Sequence, residues 1–431
     1  MAEPLPHATA SGPATLSVAL RTKLSIMMFL QYGLWGAWWV VLNIYLDKLG
    51  FTGLQIGAIY GTTAIASIFS PIIFGQIADR WVATEYLVAL LHLVGAAMLY
   101  LITQLNDFNT FYIVTLVWAL LYMPTISLTN SLSMHNIPNA AKYFPGIRVF
   151  GTIGWIVAGL IVGKLDPASP QPILLAAILS AALGLFAFTL PHTPPTGKAG
   201  EPMAFTRSFS MLKEPSFLIF MIVSFLISIV LSGYYAFTAQ FLDGIDIDKI
   251  APISTVMTLG QISEMLLLPL LPFFLTRIGM KWTLVIGMAA WGIRYAIFSM
   301  SEPPWLVIAS LTLHGLCYDF FFVAAYIHVD NQATPQIRAS AQGLFNLVVM
   351  GVGMLIGNYV FGALKDKFTT DGVVQWDKVW LYPTILVVAA LAVFIVAFRD
   401  KQKPASAEAA TGEPVAEPAA AVAKPIDSSP E

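Results

Sequence analysis

Four strongly polar or ionisable side chains interrupt the long apolar runs of this 431-residue chain, namely Arg148, Gln261, Glu264 and Asp319. Each lies inside or at the end of a run long enough to cross a lipid bilayer. A charge at the bilayer centre costs roughly 2.5–3.5 kcal/mol even on a lenient insertion scale. These residues therefore predict a buried polar site between helices, and the chemistry of each indicates what that site binds.

Gln261 and Glu264 are three residues apart and so share one face of a helix. The amide can donate to and accept from a sugar or a base edge, while the carboxylate accepts hydrogen bonds from hydroxyls. The alternative is that the pair only joins helices by hydrogen bonds, although placing a carboxylate inside a membrane costs considerable free energy. We predict that both residues contact a polar ligand.

Asp319 follows Tyr318 and precedes three phenylalanines, Phe320 to Phe322. Apolar neighbours disfavour the charged form of a carboxyl, which suits a group that takes up and releases a proton. Tyr318 and Phe322 are one turn apart and offer a stacking face, worth about 1–3 kcal/mol per base. Ordinary packing explains the other two phenylalanines. Asp319 is predicted to couple protons or contact the ligand, and Glu264 is the other candidate for the proton.

Arg148, Thr152 and Trp155 recur at helical spacing and form one stripe. Arg148 lies near the end of its run, so its side chain could instead extend to the membrane surface. Gln31 and Trp35 are weaker candidates for the same cavity.

Other polar or aromatic residues in the runs have simpler explanations. An aromatic belt at the membrane surface would explain Trp38 and Trp39. Arg294 is interpreted as structural, and His92 and His314 as satisfied core groups, with a secondary proton-relay role open for His314.

Composition identifies the elements that must position these residues. The chain is 57% hydrophobic and 11% charged, unlike ordinary soluble domains. A spanning helix needs about 20 mostly apolar residues. Twelve such runs predict an all-α membrane protein with twelve transmembrane helices: Leu24–Leu46, Gln55–Ala78, Thr84–Thr103, Phe111–Ser133, Pro145–Lys164, Gln171–Leu190, Pro215–Leu242, Pro252–Leu275, Trp282–Met300, Pro304–Val329, Ala339–Leu364 and Val379–Phe398.

Loop charges predict the orientation, because cytoplasmic loops carry an excess of Lys and Arg. The richer set of loops includes the segment that ends in Arg21 and Lys23 and the cluster Arg399–Lys403. Both termini are therefore expected in the cytoplasm. The single cysteine, Cys317, excludes an intramolecular disulfide, and no cleavable signal peptide is evident.

The runs divide into two halves of six around a polar segment. We predict a cytoplasmic N-terminal tail (1–23), an N-terminal six-helix half (24–190), a cytoplasmic linker (191–214), a C-terminal six-helix half (215–398) and a disordered cytoplasmic tail (399–431). Basic turns at corresponding places, Gly75–Trp81 and Phe274–Lys281, support a parallel repeat of the halves.

Several motifs resemble known transporters. The G-x-x-x-D-R turn at Gly75–Arg80 is similar to the signature of the major facilitator superfamily, which implies that fold. Six segments, in this order along the chain, resemble the bacterial nucleoside:proton symporter family: Phe29–Gly36, Tyr122–Thr125, Ile147–Gly154, Gln261–Glu264, Asp319–Phe321 and Arg338–Gly343. The resemblance implies proton-driven nucleoside uptake across the cytoplasmic (inner) membrane by alternating access.

The family also implies which positions contact the substrate. It places substrate contacts at the Gln261/Glu264 pair and along the Arg148 stripe. On span 7 the corresponding positions are Ser232 and Tyr235, where family members of known selectivity carry a glutamine and an asparagine, and Tyr318 replaces a phenylalanine. The departures leave open which nucleoside, or which other polar sugar-like solute, is carried.

Other classes of function fit less well. The sequence holds no Ser/His/Asp arrangement, zinc spacing or phosphate-binding loop, so an enzyme, a metal site and a cofactor are not expected. A non-transporting membrane sensor on the same fold stays as an alternative, against which the retained titratable residues argue. The expected partners are a small polar substrate, protons and the lipid bilayer, without nucleic acid, and the protein is expected to be a monomer.

Overall fold

A computed structural model describes residues 15–195, 204–334 and 336–400. Most of the predicted N-terminal tail, the middle of the predicted linker and nearly all of the predicted C-terminal tail lie outside these residues. In the described part every predicted apolar run lies on helix, and the one sheet is a short hairpin of Thr369–Thr370 (β1) and Val373–Val374 (β2).

Four of the seven helices in the N-terminal group begin at residues whose side chains cap the first turn. Ser17, Thr52, Asp107 and Asn139 each accept a hydrogen bond from a backbone N–H two or three positions into the following helix, which satisfies donors that the helix itself leaves free. The helices are α1 (Val18–Gly36), α2 (Leu42–Lys48), α3 (Gly53–Arg80), α4 (Thr84–Ile102), α5 (Phe108–His135), α6 (Ala140–Val162) and α7 (Gln171–Ala187).

The C-terminal group is more irregular, with several spans built from two or more helical segments. Its helices are α8 (Pro215–Gly244), α9 (Ile253–Leu267), α10 (Leu271–Met300), α11 (Pro304–Leu311), α12 (His314–Cys317), α13 (Ala324–Gln332), α14 (Arg338–Asn346), α15 (Met354–Lys367) and α16 (Trp376–Ala397). Short 3-10 helices occur at Ala204–Lys213, Ile247–Lys249 and Leu268–Leu270, and π-helical segments at Tyr318–Val323 and Leu347–Gly353.

α10 contains the turn between predicted spans 8 and 9. Gly279 has φ 81° and ψ 171° there, in the region of positive φ that glycine adopts without a steric penalty. This residue therefore ends one helix and allows the next to begin, as the predicted basic turn requires.

The structure supports a membrane protein without fixing the number of spans. By length and composition, seven helices in the described part could cross a membrane, or nine if each of two bent pairs counts as one span. Twelve spans therefore stay a prediction.

Hydrogen bonds join the two groups of helices at one end of the molecule. There Asp366 of α15 accepts hydrogen bonds from the backbone N–H groups of Gly53 (2.5 Å) and Leu54 (2.9 Å) at the start of α3. Lys365 donates to Asp47 at 2.5 Å. We call this contact, formed by Asp47, Gly53, Leu54, Lys365 and Asp366, the closed end. Together with the nearby bond from Asn43 to the carbonyl of Ala236, it accounts for the inter-group hydrogen bonds of the described residues.

Candidate functional site

A cavity of about 230 Å³ lies between the two groups of helices. Its walls come from α1, α3, α5, α6, α8, α9 and α15 and from both π-helical segments. Seven of the nine predicted site residues line it: Arg148, Thr152, Trp155, Tyr235, Gln261, Glu264 and Tyr318. Residues from both predicted halves thus converge on one space.

Arg148 lies against an aromatic ring at the cavity wall. Its guanidinium carbon is 3.9 Å from the ring centroid of Tyr32, a geometry in which the ring face attracts the cation. Gly151 makes room for this pair, because a Cβ there would lie 2.6 Å from the Tyr32 ring and 2.7 Å from an Arg148 nitrogen. The position in the cavity favours a ligand-contacting role over extension to the membrane surface.

Gln261 and Glu264 project from α9 into the same cavity, and both are partly exposed to it. Within the described residues, neither side chain has a hydrogen-bonding or ion-pair partner. Arg148 also forms no salt bridge with Glu264 there, although both line the cavity. A cation, an amide and a carboxylate are therefore available to a ligand that enters between them.

Aromatic side chains supply flat surfaces around these polar groups. Trp35 and Trp155 pack edge to face with ring centroids 5.5 Å apart, and Gly36 accommodates the Trp155 ring, which would lie 2.9 Å from a Cβ at that position. Tyr318 lies 5.6 Å from Phe322, with the rings inclined at 42°. Trp155 and Tyr318 line the cavity and can pack against a planar ring of a ligand.

Two predicted site residues do not line the cavity. Ser232 is fully buried, donates to the carbonyl of Ile229 at 2.7 Å and packs against Gly357 of α15. Asp319 is also fully buried, and neither of its carboxylate oxygens has a partner in the described residues. It lies on the π-helical segment next to Tyr318, and such segments occur frequently at functional sites.

Gln31, a weaker candidate for the cavity, belongs instead to a buried network in the N-terminal group. Its amide donates to Thr125 (2.8 Å), its carbonyl is 2.9 Å from a ring nitrogen of His92, and Tyr122 donates to its backbone carbonyl (2.8 Å). The other His92 nitrogen is 3.3 Å from Ser180. This network joins α1, α4, α5 and α7, so the interpretation of His92 as a satisfied core group is consistent with its contacts.

Arg294 lies in the C-terminal group, away from the cavity. It is fully buried between the rings of Tyr234 (4.2 Å) and Trp291 (4.1 Å), and one nitrogen is 3.1 Å from a ring nitrogen of His314. These contacts agree with a structural role for the arginine and with a core position for His314.

The cavity wall formed by α3 and α15 was not predicted from the sequence. Tyr60, Thr63 and Ser67 lie on α3, and Asn358 lies on α15. These polar residues inside two apolar runs could have indicated a site. However, hydroxyl side chains often bond to the backbone of their own helix, so alone they are weak evidence for a binding site. Trp38 is buried in the core, and Trp39 lines the cavity, so a belt at the membrane surface is the wrong explanation for both.

Comparison with known proteins identifies the family. The model of the "Nucleoside H+ symporter" family matches residues 18–403. Nucleoside permease NupG of Escherichia coli is 34% identical over 401 residues, which cover 87% of this chain and 96% of that protein. Xanthosine permease of the same organism is 33% identical over 410 residues, covering 90% and 98%.

The fold agrees with these matches. The crystal structure of the nucleoside transporter NupG superimposes with a TM-score of 0.82 at 32% identity, covering 89% of this chain and all of that one. The predicted major facilitator fold is confirmed, and these relatives are transporters and not enzymes. The chain therefore belongs to the nucleoside:H+ symporter family.

Proposed function

We propose that this protein is a proton-coupled symporter that imports nucleosides across the cytoplasmic membrane by alternating access. The observation that carries the proposal is the cavity between the two groups of helices. It brings together the Arg148 cation, which lies against the Tyr32 ring, an amide and a carboxylate without hydrogen-bonding partners in the described residues, and aromatic walls. A nucleoside has the complementary parts, namely a sugar with hydroxyl donors and a planar base.

Each polar group has a defined role in this proposal. Glu264 accepts hydrogen bonds from ribose hydroxyls, and Gln261 beside it both donates and accepts. Arg148 presents donors only, and its contact with Tyr32 limits its freedom. Thr152, Trp155, Tyr235 and Tyr318 complete the contact surface.

Asp319 is proposed as the proton-carrying group. A buried charge without a partner is strongly unfavourable, and protonation removes that charge. In the conformation described here the carboxyl has no partner in the described residues, so a rearrangement that supplies one or admits water would release the proton. Its position next to Tyr318 links that step to the cavity wall. Glu264, which lines the cavity, is the second candidate.

The closed end supports one state of an alternating-access cycle. It lies at the loops near residues 50, 165, 250, 300 and 370, which carry the smaller share of the loop cations. With both termini in the cytoplasm, this end faces outward and the cavity is accessible from inside. Import then requires the contacts of Asp366 and Lys365 to break and the opposite end to close.

The remaining features of the proposal follow from the same arrangement. The protein is a multi-pass protein of the inner membrane with two six-helix halves. We also propose that it acts as a monomer, as the resemblance to the major facilitator fold implies. Ser232 acts indirectly, by setting the packing of α8 on α15, and Tyr235 on the same helix contacts the ligand.

The test uses purified protein reconstituted in liposomes whose external pH is lower than the pH of the lumen. Accumulation of radiolabelled nucleosides in the lumen is measured. We expect accumulation above the external concentration that collapses when a protonophore removes the gradient. Liposomes without protein are the control. Accumulation of a disaccharide but of no nucleoside would favour the sugar-carrier alternative, and binding without accumulation would favour the sensor.

A further inference from the structure

The cavity wall formed by α3 and α15 carries an amide without a partner. Asn358 is 2% exposed, yet it lines the cavity. Its side-chain carbonyl oxygen is buried and accepts no hydrogen bond within the described residues. Because the large majority of buried polar side-chain atoms in proteins are hydrogen-bonded, an unpaired acceptor at a cavity wall indicates a partner that arrives from outside the chain.

The backbone that carries this amide is held on two sides. A Cβ at Gly57 of α3 would overlap the carbonyl oxygen of Asn358 and lie 3.0 Å from its carbonyl carbon. On the other side, a Cβ at Gly357 would lie 2.7 Å from the carbonyl oxygen of Ile229 of α8. The amide is therefore positioned before a ligand arrives, which reduces the entropy lost on binding.

The neighbouring hydroxyls on this wall already donate hydrogen bonds to backbone carbonyls. Tyr60 donates to the carbonyl of Trp39 at 2.7 Å, Thr63 to that of Tyr60 at 3.0 Å and Ser67 to that of Thr63 at 2.7 Å. These three groups can accept further hydrogen bonds but have none left to donate. Asn358 is thus the neutral group here that can both donate and accept.

We propose that Asn358, with Tyr60, Thr63 and Ser67, forms the subsite for the nucleoside base. This subsite rests on the proposed function. An amide presents an acceptor beside a donor, which matches the adjacent donor and acceptor on a base edge, as in asparagine–adenine pairs. The rings of Trp39 and Tyr60, with centroids 4.7 Å apart and each at most 3% exposed, pack together beside this wall. The ionisable residues of α6 and α9 are left for the ribose.

The test is the replacement Asn358→Leu, which keeps the approximate shape and removes both hydrogen-bonding groups. Initial rates are measured in liposomes for uridine, cytidine, adenosine and inosine, and for uridine against 2′-deoxyuridine. We expect the kcat/KM ratios among the bases to change by about ten-fold, as for one or two lost hydrogen bonds. The ratio of uridine to 2′-deoxyuridine should stay constant.

Two further variants make the outcome decisive. Asn346→Leu removes an asparagine from α14 that bonds to Tyr326 outside the cavity, and it should leave the base ratios unchanged. Asn358→Ala should change them as Asn358→Leu does, even if leucine packs poorly. An equal loss of kcat/KM for every base would overturn the subsite, and so would a change confined to the ratio of uridine to 2′-deoxyuridine. In either case, uptake by the unmodified protein would still uphold the proposed function. Failure of the unmodified protein to accumulate any nucleoside would overturn both.

Discussion

Gly53 at the start of α3 is the position where a single added methyl group should most directly open the closed end. A Cβ there would lie 2.9 Å from a carboxylate oxygen of Asp366 and 3.0 Å from the Cβ of Lys365, and it would overlap the carbonyl oxygen of Gly362. Carbon atoms in contact normally keep about 3.5–4.0 Å. Gly53→Ala must therefore move α3 and α15 apart by about half an ångström or more.

The cost of this displacement falls on one conformation. Overpacking of a close contact typically costs about 1–3 kcal/mol, and the shift also lengthens the hydrogen bonds from Gly53 and Leu54 to Asp366. Both contacts join the two groups of helices, so a state in which this end is open does not bear the cost. A destabilisation of about 1.4 kcal/mol would shift the balance between the two states about ten-fold.

The assay measures access to the cavity from outside. Thr63, which lines the cavity, is replaced by cysteine in a Cys317→Ser background, and intact cells are treated with a membrane-impermeant thiol reagent. We expect Gly53→Ala to increase the alkylation rate of the new cysteine about ten-fold. Gly362→Ala, which adds a methyl group to the other helix of the same contact, should act in the same direction.

Gly75→Ala is the matched control. Gly75 lies on the same helix, and nothing is within 4 Å of a Cβ built there. Equal alkylation rates in the Gly53 and Gly75 variants would refute the reasoning that this contact holds the outer end closed.

Three further replacements test the cavity itself. Asp319→Asn should abolish proton-driven accumulation while leaving nucleoside exchange, and undiminished pH-dependent uptake would exclude the coupling role. Glu264→Gln should weaken nucleoside binding about ten-fold or more, because it removes a charged acceptor; calorimetry on purified protein checks this, with the exposed Glu302→Gln as the control. Arg148→Lys should also lower affinity, since lysine cannot reproduce the planar contact of the guanidinium with Tyr32, and an unchanged dissociation constant would contradict that contribution.

Much of the fold could be predicted because lipid imposes simple rules on a chain. Backbone groups in the bilayer must bond within their own helix, so long apolar runs predict helices directly. Capping residues such as Thr52 and Asp107 then mark where helices begin. The breaks in spans 10 and 11 were not predicted, since π-helical segments depend on local packing that apolar composition does not record.

The site residues whose burial in a membrane costs most were predicted, and the mildly polar ones were missed. Arg148, Gln261 and Glu264 are conspicuous in apolar runs and do line the cavity. Asparagine and threonine are tolerated in membrane helices for many reasons, so Asn358 and Thr63 gave little signal. Asp319 was identified as unusual, but its separation from the cavity surface depends on the rotation of its helix.

The sequence by itself determined the class of this protein and the chemistry at its centre. The length of each apolar run and the cost of each buried charge can be read from local sequence. The order of the motifs along the chain indicates the family. Only the tertiary structure decided which side chains share the cavity, that Ser232 and Gln31 turn away from it, and that hydrogen bonds join the two groups of helices at one end. These outcomes depend on contacts between residues far apart in the chain, such as Gly53 with Asp366, and a close approach of that kind exists only after the helices have packed.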